Sequence, residues 1–328
     1  MSLVDQLRTG IGTGDGLGPA LSLDEHIVCA IPGSEPDLGT SQERYKLWRA
    51  SQTGTRSAEY LLPRLVRDVE CTWPPFMHRA TRAMPVDALR AKLADLGPWY
   101  VPFALGDPVV NTMEFTDNFG AAIFADDNAQ RMQFRTDLIN GTLARILGDE
   151  IQHMNVLDLG CNSGWFAFDL AQRGARSVDG VDLRAHNIEQ ARFLRDYFGL
   201  ETTRFDVADA MSFDDQRRWD IVLNLGVLYH VTDPLRLLQR TYELCERFAI
   251  VDTICHEEPF SGFVLFDTKD ASHPHEGSES WEFHPTYRGA IDALRYAGFR
   301  EVIEIAPTEA TASGLYRGGG RRCFLAAK

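Results

Sequence analysis

Short apolar runs alternate with amphipathic stretches from residue 155 onward, and that alternation sets the expected fold. Runs at 155–159, 177–182, 202–206, 220–223 and 248–252 read as strands, and stretches at about 165–173, 185–198 and 234–246 repeat their apolar residues at helical spacing. Strands separated by helical patterns of roughly 10–15 residues form βαβ units, hence a parallel sheet with right-handed crossovers. A last helix at 285–297 is followed by 301–305 and 322–327, which bring the candidate strands to seven. The pattern predicts an α/β chain with a doubly wound, mostly parallel seven-stranded sheet.

Ahead of this core the pattern changes. Residues 1–20 are Gly-rich and poor in large apolar side chains, which predicts a frayed arm. Between 41 and 96, Tyr45, Trp48, Tyr60, Leu61, Leu65 and Val66 recur at roughly helical spacing, and Pro63, Pro74, Pro75 and Pro85 divide the segment into several short helices. The aromatic, Pro-broken stretch 97–103 reads as a connector or strand. Residues 131–147 read as a helix with Phe134, Leu138, Ile139, Leu143 and Ile146 on its buried stripe. The expected division is a mainly helical accessory or lid region over 1–115 and a core over 116–328. Within the core, 253–284 reads as an acidic insertion of little periodicity. It holds Glu257, Glu258, Asp267, Asp270, Glu276, Glu279 and Glu282 against Lys269.

Composition narrows the class. The 328 residues are 44% apolar and 24% charged, as in a globular protein with a real core. Lys and Arg total 33 against 47 Asp and Glu, a net charge of -14, which disfavours nucleic acid at long range without excluding it at a local basic groove. The six cysteines include no C-x-x-C pair, so neither a disulfide framework nor a zinc knuckle is expected. The first ten residues lack an apolar core of the signal-peptide kind, and no apolar run approaches the roughly 18 residues of a membrane span. A cytoplasmic, reduced setting without membrane attachment is the expectation, with a homodimer left open.

The candidate chemistry starts at Val156-Leu-Asp158-Leu-Gly160-Cys161-Asn162-Ser-Gly164-Trp165, a strand running into a glycine turn and then a helix. Such a turn lies at the carboxyl end of the first strand, where nucleotide-like ligands bind an open α/β sheet. Asp182 ends the second strand at close to the ~20-residue spacing of a ribose-binding carboxylate. Its structural alternative is a cap for the next helix. Asp209 follows the third strand and could accept from an adenine amine or remain a solvated loop carboxylate. After the fourth strand, Asn224-Leu225-Gly226-Val-Leu-Tyr229-His230 presents Tyr229 and His230 where a reacting group would sit. His230 could take a substrate proton, since an imidazole titrates near neutrality, or it could be a structural histidine. Trp99, Tyr100, Arg131, Glu257, Glu258 and Trp281 are the substrate-site candidates. If the acidic segment lines the pocket, a cationic substrate such as an amine or guanidine of amino-acid type is favoured, because a desolvated cation needs carboxylate partners. His256, His273, His275 and His284 show no ligand spacing, so no metal is expected.

Together, Val-Leu-Asp158-Leu-Gly160-Cys-Asn162-Ser-Gly164, Gly-Val-Asp182, Asp209-Ala210 and Asp220-Ile-Val-Leu resemble the class I S-adenosylmethionine-dependent methyltransferases. Leu225-Gly226-Val-Leu-Tyr229-His230 with Asp233-Pro234-Leu235, and Gly97-Pro-Trp99-Tyr100 with Leu105-Gly106-Asp107, are similar to the branch holding the tRNA wobble-uridine carboxymethyltransferases and related small-molecule enzymes. The resemblance spans roughly 97–328. Asn162 departs from it, standing where the superfamily often has glycine. It implies a Rossmann-like core with S-adenosylmethionine as cofactor. Asp158, Gly160, Cys161, Asn162 and Gly164 would line its methionine side, Asp182 with Leu183 its ribose, and Asp209 with Ala210 its adenine. Asn224, Leu225 and Gly226, on to Tyr229, would floor the transfer chamber. Arg131 and Arg135 could hold a carboxylate, but no extended basic stripe accompanies them. A small-molecule acceptor methylated on N or O is therefore expected ahead of tRNA modification. A non-catalytic cofactor-binding partner subunit is the third reading. A nicotinamide dehydrogenase is disfavoured, because the turn is G-x-N-x-G rather than G-x-G-x-x-G.

Overall fold

The computed structural model describes residues 22–29, 59–69, 84–118, 120, 128–258, 260–267 and 281–328. The core strands are β5 (Asn155–Leu159), β6 (Ser177–Asp182), β7 (Thr203–Val207), β8 (Trp219–Leu225), β9 (Cys245–Ile254), β12 (Glu301–Pro307) and β13 (Arg321–Ala327). They hydrogen-bond in the order β12-β13-β9-β8-β5-β6-β7. From β7 to β9 all pairings are parallel, and β13 runs antiparallel between β9 and β12. The winding reverses between β5 and β8, which opens a crevice at their carboxyl ends.

Helices cover both faces, so the central strands are apolar throughout rather than alternating. On β8, Ile221 and Leu223 face one core cluster while Val222 faces the other, and all three are fully buried. The first cluster includes α4 (Trp165–Gln172) and α5 (Ala185–Phe198), with Trp99, Phe103, Trp165, Phe168, Phe198 and Phe205 as its bulk. The second packs α6 (Pro234–Leu244) and α7 (Tyr287–Ala297) through Leu237, Leu238, Ile291 and Leu294.

Three expectations change. Among the described residues the sheet has nine strands, because β1 (Ser22–Cys29) and β2 (Glu59–Arg67) extend its β12 edge. β2 pairs parallel to β12 from Arg64↔Glu304 to Pro307↔Arg67, and β1 antiparallel to β2. Tyr60, Leu61, Leu65 and Val66 therefore lie on a strand rather than a helix. Pro63 disfavours a helix interior, and pairing with β12 decides the outcome. The described helix of that region is α1 (Val86–Asp95), whereas the 1–20 arm, Tyr45 and Trp48 fall outside the described residues. A short hairpin, β3 (Ala104–Leu105) with β4 (Val110–Asn111), follows the 97–103 connector.

Second, the 131–147 helix is α2 (Asn128–Thr136) and α3 (Thr142–Leu147) joined by a π-helical turn over Asp137–Gly141. Arg67 of β2 donates from Nη1 to the Asp137 carbonyl at 2.7 Å and from Nη2 to its carboxylate at 2.8 Å. The Asp137 carbonyl thereby gains a partner outside the helix. Leu138, Ile139 and Leu143 are buried as expected. Third, the acidic segment includes a two-stranded antiparallel ribbon, β10 (Phe263–Asp267) with β11 (Trp281–Pro285). Lys269, Asp270, His273, His275, Glu276 and Glu279 lie outside the described residues.

Candidate active site

A cavity of about 980 Å³ sits at the carboxyl ends of β5, β6 and β8 and reaches Tyr316 and Arg321 on the far side. The structure brings Asp158, Gly160, Cys161, Asn162, Asp182, Leu183, Asp209, Ala210, Leu225, Gly226, Tyr229, His230, Tyr100 and Arg131 to its wall. The β5–α4 turn is held from the neighbouring strand. Gly160 and Cys161 both donate from their amides to the Val181 carbonyl, at 2.8 and 2.9 Å. Gly160 has φ +70°, and a Cβ there would stand 2.4 Å from Val227 Cγ2, so both backbone and space call for glycine. Asn162 occupies a left-handed φ of 51°, a conformation asparagine tolerates, and its side chain accepts from the Ser163 amide at 2.7 Å.

The acidic strand ends differ in their engagement. Asp158 is 2% exposed and its Oδ2 is buried without a hydrogen-bond partner among the described residues. Burial first, and the nearby Asp182 charge second, push its carboxyl up to about 8 against the pull of Arg135. Asp182 accepts from the Asn162 amide at 2.9 Å through Oδ2, and from the Arg184 amide and Asn187 Nδ2 at 2.9 and 3.1 Å through Oδ1. It thus ties the glycine turn to the start of α5 while lining the cavity. Asp209 accepts from the Met211 amide at 2.9 Å through Oδ1, an Asx turn that leaves Oδ2 for a ligand.

Several expected site residues go elsewhere. Gly164 has φ +87° and no place on the cavity wall; a Cβ there would meet Phe168 and Phe205 at 2.9 Å, so it is a packing glycine at the start of α4. Asn224 is fully buried and donates to Thr241 on α6 at 3.3 Å. Trp99 is fully buried, and its indole donates to the Leu93 carbonyl at 2.8 Å, in the core rather than the pocket. Glu257 pairs with Arg322 on a separate cavity of about 580 Å³, and neither it nor Glu258 lines the larger one. Trp281 is half-exposed on the ribbon, also off that wall. The hydroxyl of Tyr100 donates to Asp117 at 2.6 Å.

Two groups were not among the site candidates, one buried behind the cavity's far wall and one on the wall. Asp252, near the end of β9, receives Arg321 Nε and Nη2 at 2.7 and 2.6 Å, Arg135 Nη2 at 2.7 Å, and the Tyr316 hydroxyl. Burial would raise this carboxyl, but Arg321 and Arg135 hold it below the usual range. An apolar run ending in aspartate was the available signal, the same one that marked Asp158 and Asp182. The second group is Glu282 on β11. Its Oε1 lies 2.6 Å from His230 Nδ1, and its Oε2 lies 2.7 Å from His284 Nε2. His284 Nδ1 in turn stands 3.2 Å from His256 Nε2. Burial would raise the Glu282 carboxyl too, yet the histidines on either side hold it down to about 2. No local pattern places Glu282 beside His230, because the contact depends on how the ribbon folds over the sheet.

A doubly wound sheet with a glycine turn after its first strand and acidic ends on the next two defines the adenosylmethionine-binding class of transferases. The comparisons agree. A methyltransferase domain family matches residues 131–259. The ubiquinone biosynthesis O-methyltransferase of Ruegeria pomeroyi is 30% identical over 182 residues, covering 53% of this chain and 72% of that protein. The tRNA U34 carboxymethyltransferase of Campylobacter hominis is 32% identical over 91 residues, 27% of this chain and 32% of its own length. The N-terminal domain of EvdMO1, solved with SAH bound, shares the fold with a TM-score of 0.53 at 18% identity, covering 76% of this chain and 98% of that one. The chain belongs to the class I S-adenosylmethionine-dependent methyltransferases. The cavity fits that cofactor. Asp158 offers a buried oxygen with no partner to a cationic group, and Gly160 keeps the turn tight beneath it.

Proposed function

We propose that this enzyme methylates the hydroxyl oxygen of a small molecule, with His230 as the base. The observation that carries the reading is the His230–Glu282 contact at 2.6 Å on the wall of the cofactor cavity. Bound adenosylmethionine supplies a methyl group on a sulfonium, an electrophile that needs alignment rather than activation. Asp158 takes up the cationic methionine end, Asp182 the ribose and Asp209 the adenine amine. Leu225, Gly226 and Tyr229 shape the floor on which the acceptor lies. Alignment of this kind accounts for roughly 7–11 kcal/mol of barrier in favourable cases. A hydroxyl acceptor must also lose its proton, and His230 is placed to take it.

An amine or guanidine acceptor loses the support that an acidic lid would have given it. Glu257 is spent on Arg322, and the carboxylate that the ribbon does supply, Glu282, is held between His230 and His284. The test is mass spectrometry with trideuteromethyl adenosylmethionine and a panel of small alcohols, phenols and amines beside bulk tRNA. A labelled methyl ether is the expected product. Label found only on amines, or only in tRNA, would overturn the reading.

A further inference from the structure

We infer that Glu282 is a positioning residue for methyl transfer: the β10–β11 ribbon lays it against His230, where it fixes the ring and stabilises the imidazolium formed as the acceptor loses its proton. The inference rests on the reading of His230 as the base and adds a residue and an element to it. His230 Nδ1 faces Glu282, which leaves Nε2 as the ring nitrogen for an acceptor proton. At 2.6 Å the contact is strongest once the ring is charged, because opposite charges this close attract.

Glu282 is itself clamped. His284 takes its other oxygen at 2.7 Å, and the Phe266 and His256 rings pack on His284 at 4.4 and 5.4 Å. Tyr229 lies 4.1 Å from the His230 ring, centre to centre, and closes its other side. A carboxylate 9% exposed is costly unless partnered, and both of its partners here are imidazoles. The titratable and charged groups around His230 are Glu282 and His284 on β11, His256 and Glu258 after β9, Tyr229 beside it, and Arg321 of β13 over the Tyr229 ring.

The step balances. The acceptor O–H bond breaks and its proton goes to His230 Nε2. The O–CH₃ bond forms as the S–CH₃ bond breaks, leaving a methyl ether, adenosylhomocysteine and an imidazolium paired with Glu282. The imidazolium then returns its proton to water.

The test reads His230 directly and needs no acceptor. The full chain, labelled with ¹⁵N-histidine and saturated with adenosylhomocysteine, is observed by long-range ¹H–¹⁵N NMR, with His230 assigned through His230→Gln. The expected result is a neutral ring protonated on Nδ1 in the wild type, and a mixture of the two neutral tautomers in Glu282→Gln, whose amide can donate to the ring as well as accept from it. Glu282→Asp, which keeps the carboxylate one methylene back, should retain more of the Nδ1–H form than Glu282→Gln. A ring held wholly in the Nδ1–H form in folded Glu282→Gln would overturn the inference. So would a wild-type ring protonated on Nε2, a result that requires no variant to fold. Failure of the base reading shows differently: His230→Gln would methylate the panel acceptor at the wild-type rate while the NMR coupling stayed intact.

Discussion

Asp158 keeps a carboxyl where its surroundings disfavour a charge. Its pKa of about 8 in the free protein reflects burial and the Asp182 charge. A cationic ligand reverses that balance by favouring the anion. The free state therefore holds the proton below about pH 8 and the bound state releases it. Adenosylmethionine affinity should rise with pH up to about 8, with up to one proton released per ligand at pH 6.5. Calorimetry in two buffers of different ionisation enthalpy checks this, and buffer-independent heats would contradict it. Asp158→Asn should weaken binding at least tenfold and abolish the release. Asp252 makes the opposite case, a buried anion fully compensated by Arg135, Arg321 and Tyr316. Asp252→Ala leaves two buried guanidiniums without their anion and should cost about 3–5 kcal/mol in urea unfolding.

Thr286 ties the base of the ribbon to the helix that follows it. Thr286 Oγ1 accepts from the Gly289 amide at 2.9 Å, capping α7, and donates to the Phe260 carbonyl at 2.7 Å ahead of β10. Thr286→Ala should cost about 1–2 kcal/mol in thermal or urea unfolding, and a loss within error of zero would contradict a stabilising role for this cap. This element also marks where legibility ends. All seven core strands were readable, because each is an apolar run with a helical pattern or turn beside it. β2 was misread because Tyr60, Leu61, Leu65 and Val66 fit a helical stripe as well as a strand, and only β12 decides between them. The cavity wall was largely legible, since Asp158, Asp182 and Asp209 sit at or just after strand ends. Trp99, Glu257, Glu258 and Trp281 did not reach the pocket, because residue type alone carries no information about which way a connector or ribbon turns.

At the scale of the molecule, the winding reversal between β5 and β8 makes the crevice, and the antiparallel β13 brings Arg321 to its far side. Among the described residues, no helix is long and apolar enough to cross a membrane. The site is assembled from distant parts of the sequence: α2 contributes Arg135, β5 Asp158, the turn after β8 His230, the ribbon Glu282 and β13 Arg321. The central claim is that this assembly moves a methyl group to an oxygen whose proton His230 removes. Side-by-side turnover of wild type and His230→Gln on the alcohol or phenol that the panel identifies, with adenosylmethionine binding measured on both, tests it most directly. The account predicts that His230→Gln binds the cofactor within threefold of wild type and loses at least a hundredfold in kcat, in line with the 10²–10⁴ typical of a general base. Equal kcat in the two proteins would contradict it.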